Sequence, residues 1–346
     1  MIKILCLHIA ENQASYRYRV EQFLPYWQQY GIEMHTAPIV GKSYREKLRL
    51  ALRSNRYDYV WLQRKPLTSI LTTIITRRSR LLYDYDDALY AIESYRNDTP
   101  KPIHPGSRQT IKRLNRILKH SSLVFAGSEA LARYAKTSNP SNTFIVPTAY
   151  EKVPVPEESM QNHDTVTIGW IGNVGNLYFL SMIDDITAAI QERFPSVKFS
   201  LLSGKPAETL RTRWDFEPWS KEKENSWLQS IDIGIMPLVD DEWSRGKCAF
   251  KLLQYMACGK PVVASAVGAN MQAVLHGVSG FLAGSAEQWL HALETLISSP
   301  DLRKSMGRES LNHFLATFER QRVQEQMATI IHNHHHDQIN RSRGRA

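Results

Sequence analysis

Residues 232–265 read DIGIMPLVDDEWSRGKCAFKLLQYMACGKPVVAS. An apolar run over 231–236 stops at Pro237, as a buried strand does when proline removes a ladder donor. A polar loop carrying Arg245 and Lys247 follows. The spacing then predicts a helix over 247–256, closed at Gly259, with Pro261 opening another strand over 261–265. Such a helix offers free backbone amides and the positive end of its dipole at its start. On this reading Lys247 sits in the first turn and Lys251 one turn further on the same face, and together they can hold a diphosphate. Ala249, Leu252, Leu253, Tyr255 and Met256 make the helix a packed one rather than a solvated surface element.

The same strand–helix rhythm extends outward in both directions. In the first half, strands are expected over 1–10, 32–37, 58–62, 80–83, 123–127 and 143–146, with helices over 16–31, 42–56, 67–76, 107–120 and 129–136. Residues 151–164 hold Pro154, Pro156 and four acidic residues among few apolar ones, and read as a linker. The alternation then restarts, with strands over 166–170, 197–202, 231–236, 261–265 and 280–283 and helices over 177–194, 225–229, 271–276, 285–298 and 300–318. The fold class implied is α/β: two doubly wound Rossmann-like domains facing each other across a cleft at the carboxyl ends of their strands. The domains expected are 1–150, the linker 151–164, 165–318, and a C-terminal helix with a tail over 319–346 that returns to the first domain. Residues 333–346 are expected to be partly disordered.

Charge is unevenly shared. The 346 residues carry a net charge of +9; residues 1–155 hold 24 Lys/Arg against 12 Asp/Glu, and the remainder 19 against 22. A basic half suits nucleic acid, an anionic membrane face or a phosphorylated substrate, but no nucleic-acid-binding module is present and nucleic acid is not expected as a partner. Cys6, Cys248 and Cys258 are odd in number and far apart, unlike a zinc set or a disulfide framework, and fit a reducing cytoplasm. No run of eighteen apolar residues occurs, and the first ten residues read as a strand rather than a signal peptide. His332, His334, His335 and His336 lie on a terminal segment without fixed geometry, and no metal site is assigned.

Several further segments carry chemistry. Gly169–Asn176 (GWIGNVGN) is a glycine-rich turn directly after a strand, where backbone can approach a phosphate or sugar. In the first half, Arg17 and Arg19 are read at a helix N-terminus, where the dipole disfavours cations, so an anionic partner is inferred. Asp84, Asp86 and Asp87 crowd the end of a strand, with Arg64 as the counter-charge. Asp86 and Asp87 are candidates to orient a hydroxyl of a bound ligand; capping the next helix is the bland alternative.

The segments "DIGIMPL", "KLLQYMACG" and "KPVVAS", with "VG" and "HGVSGFL" beyond, resemble the donor-binding signature of GT-B glycosyltransferases, particularly the retaining family 4 (group 1) enzymes. Many members carry two glutamates seven residues apart, one on the donor sugar and one on the ribose. Those positions here are Gly246 and Gln254, and Lys247-Cys248-Ala249-Phe250-Lys251 resembles the lysine-bearing "KC.FK" variant. The resemblance implies sugar transfer from a nucleoside diphosphate sugar to an acceptor hydroxyl with retention, without a bound metal or permanent cofactor, in bacterial cell-surface polysaccharide or glycolipid assembly. It implies Lys247 and Lys251 at the leaving diphosphate, with Gly172, Asn173, Asn176, Lys205, Trp219, Cys248, Ala249, Phe250 and Gln254 around the nucleotide sugar. Arg17, Arg19, Arg64 and Asp84 fall on the acceptor side, toward a glycan or lipid-linked acceptor. A cytoplasmic protein at the inner face of the membrane, touching anionic lipid through its basic half, is the expected setting. A nucleotide-sugar epimerase of the same architecture and an inactive sugar-nucleotide-binding relative are the alternatives. A dinucleotide-dependent oxidoreductase fails for want of GxGxxG after the first strand.

Overall fold

Short, almost wholly buried runs make the first sheet: β1 (Ile2–His8), β2 (Ile32–Pro38), β3 (Tyr59–Gln63), β4 (Arg80–Tyr85), β7 (Leu123–Ala126) and β8 (Thr143–Ile145). All pair in parallel, in the order β2-β1-β3-β4-β7-β8. A separate two-stranded antiparallel ladder joins β5 (Tyr95–Arg96) to β6 (Thr99–Pro100). The second sheet holds β9 (Thr167–Gly172), β10 (Lys198–Ser203), β11 (Trp214–Pro218), β12 (Ile233–Met236), β13 (Val262–Ser265) and β14 (Gly280–Ala283). It too is parallel throughout, ordered β11-β10-β9-β12-β13-β14. The computed structural model describes residues 1–92, 95–96, 99–100, 107–154 and 165–343. The chain divides into unit 1 (Met1–Tyr90, Pro105–Ala149 and Arg320–Ala346) and unit 2 (Ala91–His104 and Tyr150–Glu319). Residues 155–164 of the expected linker lie outside the described residues.

Each sheet has one point where the winding reverses. In unit 1, β1 lies between β2 and β3; in unit 2, β9 lies between β10 and β12. The connections leave these neighbours toward opposite faces, which opens a crevice at the carboxyl ends of the strands, the customary ligand position in such sheets.

The helices of unit 1 are α1 (Ala14–Arg19), α2 (Tyr44–Leu52), α3 (Ser69–Arg78), α4 (Arg108–His120) and α5 (Glu129–Lys136). A capping box between Ser43 and Glu46 starts α2, satisfying donors at both ends of the first turn. The single helix expected over 16–31 is broken. α1 ends at Arg19, and Glu21–Tyr30 continues as a 3-10 helix with Pro25 inside it, where proline removes an α-helical donor. Gly31 closes that segment at φ 65°, a conformation glycine takes without the penalty of a side chain.

The helices of unit 2 are α6 (Tyr178–Ser181), α7 (Asp184–Arg193), α8 (Lys221–Ser230), α9 (Glu242–Arg245), α10 (Phe250–Ala257), α11 (Asn270–Ala273), α12 (Ala286–Ser298) and α13 (Pro300–Thr317). Strand β11 and helix α9 have no counterpart in the expected elements. β11 sits at the sheet edge with its residues exposed or half-buried, so it lacks the apolar run by which interior strands are read.

The last helix, α14 (Arg320–Arg343), belongs to unit 1. Val323, Met327, Ala328 and Ile331 join the core formed with Phe23, Trp27, Tyr59, Trp61 and Phe125. Gln324 Nε2 donates to Phe23 O at 3.0 Å, and the Arg320 guanidinium lies 3.8 Å over the Tyr26 ring. The expectation of disorder from 333 onward is corrected through Arg343. Tyr59 Oη bonds His334 Nδ1 at 2.7 Å, and His332 Nε2 meets Tyr30 O at 2.7 Å. These histidines therefore anchor a helix. Among the described residues no His, Cys, Asp and Glu group is arranged to hold a metal ion, and no helix is long and apolar enough to cross a membrane.

Candidate functional site

Unit 2 gathers its unusual side chains where its winding reverses. β9 ends at Gly172 and turns at Asn173 into a short 3-10 helix over Val174–Asn176. β12 ends at Met236, and the chain then runs through α9 to a loop over 246–249 and into α10. Asp241 caps α9 by accepting from the Ser244 amide at 2.6 Å. Arg245 is spent on Asp240, donating from Nε at 2.6 Å and from the terminal nitrogen at 2.9 Å.

Helix α10 starts three residues later than the sequence suggested. Ala249 adopts φ 53°, a left-handed conformation that a β-carbon disfavours, and serves as a cap without a side-chain hydrogen bond. Lys247 and Cys248 therefore lie in the preceding loop, and the expectation of Lys247 in the first helical turn is corrected. Lys251, second in the helix, is the lysine of that turn. Tyr255 pins the helix to the sheet: its hydroxyl accepts from the Ile171 amide at 3.0 Å and meets Ile235 O at 3.3 Å. Its ring presses on Gly234, where an added Cβ would stand 2.3 Å from ring carbons.

The two lysines rest on aromatic rings. Lys251 Nζ is 5.2 Å from the centroid of Trp170, and Lys247 Nζ is 5.4 Å from Trp243 and 5.7 Å from Phe179. Among the described residues neither has a carboxylate within ion-pair distance. Burial, and then the neighbouring charge of Lys247, pulls the Lys251 ammonium down from its ordinary 10.5 to about 7. Gly172 makes room for this arrangement, since a Cβ there would lie 2.7 Å from Lys251 Cε and 2.4 Å from the Trp170 ring. The structure thus brings Gly172, Lys247 and Lys251 together at one strand end.

A second cluster surrounds a carboxylate that sequence reasoning passed over. Glu224, in the first turn of α8, is buried and accepts from Gln254 Nε2 at 2.8 Å, Trp219 Nε1 at 2.8 Å and Tyr150 Oη at 3.0 Å. Gln254 is itself buried, and half-exposed Trp219 is held further by its backbone amide on Ser203 O at 2.9 Å. Phe250 meets the Tyr150 ring edge-on at 5.8 Å. Residues 150, 219, 224 and 254 lie too far apart for any spacing pattern to signal their meeting. Asn173 is exposed, Asn176 half-buried, and Lys205 exposed just beyond β10.

In unit 1 the expected acceptor-side residues have more internal roles. Arg17 and Arg19 occupy the last turn of α1, not its start, so the dipole favours them and the argument for an anion from their placement falls. Arg19 is buried against Asp84, with Nε 3.3 Å from Oδ2 and the other nitrogen on Oδ1, and it also donates to Val146 O at 2.7 Å. Burial pushes the Asp84 carboxyl up while Arg19 pulls it down. Arg19 and Asp84 thus form an internal ion pair, which corrects their assignment to a surface that meets acceptor. Arg64 pairs with Asp87 and lies 3.9 Å from Asp86, as the charge pattern suggested. Its backbone is left-handed at φ 59°, held by its amide on Asp84 O at 2.7 Å and by Tyr83 Oη donating to its carbonyl at 2.7 Å.

Comparison with known proteins bears on unit 2 first. Residues 165–299 match the family model of the group 1 glycosyl transferases. The group 1 segment thus spans β9 to α12 and contains the lysine pair and all of the second cluster except Tyr150. A D-inositol 3-phosphate glycosyltransferase of Kribbella flavida is 38% identical over 173 residues, covering 43% of this chain and 39% of the relative. The corresponding protein of Pseudarthrobacter chlorophenolicus is 34% identical over 85 residues, 24% of this chain and 19% of its own length. The chain spans well under half the length of these relatives. The fold likeness extends further. Anabaena Alr3699/HepE, solved in complex with UDP and glucose, superposes with a TM-score of 0.72 at 14% identity, covering 96% of this chain and all of that one. Sucrose-phosphate synthase of Thermosynechococcus elongatus gives 0.69 at 14%, covering 96% and 99%. The two-unit α/β fold is that of the GT-B glycosyltransferases.

Proposed function

We propose that the chain is a glycosyltransferase that takes a sugar from a nucleoside diphosphate sugar and delivers it to an acceptor hydroxyl with retention of configuration. The carrying observation is the lysine pair at the winding reversal of unit 2, two ammonium groups cushioned on Trp170, Trp243 and Phe179 with no carboxylate against them among the described residues. Such a pair is costly to keep close and partly dry until an anion arrives. As the glycosidic bond breaks, negative charge grows on the diphosphate, and preorganised cations stabilise it without reorganising. The same oxygen can take the acceptor's proton, so the chemistry requires neither a metal nor a cofactor. Gly172, Asn173 and Asn176 would line the sugar nucleotide, with Lys205, Cys248, Ala249 and Phe250 around it. Trp219 and Gln254, braced by Glu224, would take base and ribose. Asp86 and Asp87 would orient the acceptor hydroxyl, with Arg64 beside them and Arg17 also on the acceptor side. HepE, solved with UDP and with UDP-glucose, supports this donor class.

Thermal denaturation with UDP, GDP, ADP and dTDP tests the reading. At least one should raise the transition, and Lys251→Ala should abolish the rise. If none stabilises the protein, the donor assignment is wrong.

Membrane contact rests on a separate observation. Exposed Arg45, Arg49, Arg53, Arg56, Lys112, Arg116 and Lys119 stand on or just beyond α2 and α4, both packed on α3, where Ile70 is 62% exposed. We infer that this basic face meets anionic lipid at the cytoplasmic face of a membrane, toward a lipid-linked or glycan acceptor in cell-surface polysaccharide or glycolipid assembly. The whole chain should float with phosphatidylglycerol vesicles at low salt and not with phosphatidylcholine; equal behaviour with both would remove the inference.

A further inference from the structure

A carboxamide recognises different groups according to which of its two ends meets them, and Gln254 has that choice made for it. Its nitrogen is engaged inward, where Nε2 donates to Glu224 Oε1 at 2.8 Å. Two more donors hold the same carboxylate: Tyr150 Oη reaches Oε1 at 3.0 Å, and Trp219 Nε1 reaches Oε2 at 2.8 Å. A carboxylate only accepts, so Glu224 fixes all three neighbours as donors and leaves the amide one direction. Gln254 Oε1 is then the end left over. Among the described residues nothing donates to it, and it keeps contact with solvent although the side chain as a whole is 3% exposed. Trp219, on the same carboxylate, is 38% exposed and carries the cluster to the surface.

The neighbours of this oxygen narrow what it meets. Lys251 and Gln254 stand three residues apart on one face of α10, about 4.5 Å along its axis. With the diphosphate at Lys251 and the base toward Trp219, the ribose between them is the group that comes to Gln254. A ribose offers hydroxyl donors to a carbonyl oxygen. The carboxylate behind the amide strengthens that oxygen as an acceptor, because hydrogen bonds in a chain polarise one another.

We propose that Glu224 is a positioning residue, which acts through Gln254 to present Oε1 to a ribose hydroxyl and so makes the site select nucleotides by a hydroxyl that can donate. The proposal rests on the transferase reading for the identity of the ligand. What it adds is the direction of the contact and the residue that imposes it: the charge stands on α8, one side chain behind the surface that touches the nucleotide.

Calorimetry on the whole chain tests this with the diphosphates of uridine, guanosine and adenosine. Each is compared with its 2′-fluoro-2′-deoxy and 3′-fluoro-3′-deoxy forms, in which fluorine stands in the place of the hydroxyl but cannot donate. For a nucleotide that binds, at least one fluoro form should bind about tenfold more weakly than its parent, the size of one hydrogen bond. Glu224→Gln reads the positioning. Trp219 Nε1 still needs an acceptor, so the new amide turns its oxygen there and its nitrogen toward Gln254, whose own amide must reverse. The fluoro penalty should then shrink below about threefold. Combining Glu224→Gln with Gln254→Glu returns an acceptor to the ligand side and should restore a penalty of at least about tenfold. A merely structural role for Glu224 would weaken parent and fluoro forms alike and leave their ratio unchanged. An unchanged ratio in Glu224→Gln therefore overturns the proposal, as does equal binding of the parent and both fluoro forms by the unaltered protein. If none of the three diphosphates binds, the donor reading itself fails, so the two failures are distinguishable.

Discussion

Four cations near the strand ends, two in each unit, are handled in opposite ways. In unit 1, Arg19 is buried against Asp84 and Arg64 faces Asp86 and Asp87, so each guanidinium is answered by carboxylate from its own unit. In unit 2, Lys247 and Lys251 lean on indole and phenyl rings, and no carboxylate answers them among the described residues. Matched charge holds a fold together; unmatched charge, kept in place by faces that attract it weakly, waits for a ligand. Basic residues picked from sequence alone look alike, and only the partner separates these two uses.

The largest effect should come from breaking the matched pair. Arg19→Met or Asp84→Asn leaves a buried group without its counterpart and should cost about 3–5 kcal/mol in urea unfolding. A loss under 1 kcal/mol would mean the pair is not the brace described. Breaking the unmatched pair should do the reverse. Lys251→Met should weaken UDP binding at least about tenfold by calorimetry, yet raise the unfolding temperature of the free protein. The sign follows from linkage: with the folded ammonium at about 7 and the unfolded one near 10.5, the unfolded chain binds more protons between those values, so at pH 8 the lysine disfavours folding. Equal or lower stability of the methionine variant would contradict the claim.

A pH series sharpens the contrast. UDP should bind less tightly as pH rises from 7 to 9, because Lys251 must regain its proton to meet the diphosphate. Lys251→Arg, charged throughout, should flatten that slope. Folding should respond at the other end of the scale. His8, His313 and His335 are all held below the ordinary 6.5 by burial, so the unfolded chain takes up protons first and stability should fall as pH drops below about 6.5. Calorimetric scans from pH 7.5 to 5 measure this, and a rising transition temperature on acidification would reverse the assignment. The smallest effect belongs to Lys205, which stands exposed after β10; Lys205→Ala should change stability by under about 0.5 kcal/mol and test only whether that lysine touches the diphosphate.

Much of the fold was legible because parallel sheets bury whole strands. Runs such as Ile2–His8 and Ile233–Met236 read as strands on hydrophobicity alone. β11 escaped because an edge strand has little to bury. The lysines of the candidate site were legible from their place after a buried strand, but the helix start was misplaced by the left-handed Ala249, a conformation no residue pattern announced. Arg19 was misjudged because α1 ends where Pro25 and the 3-10 segment cut short a longer apolar period. Glu224 was invisible for another reason: what marks it is its partners, reached through space.

The return of α14 to unit 1 has a consequence for how the protein is made. Val323, Met327, Ala328 and Ile331 complete a core begun by Ile2 and Ile4, so that core stays open while the ribosome synthesises all of unit 2. Unit 2, from Tyr150 to Glu319 with only a short contribution from earlier residues, has its sheet in hand first. Phe23, Trp27 and Trp61 therefore lack their final cover until α14 has been made, and apolar surface exposed in that interval favours association with other chains.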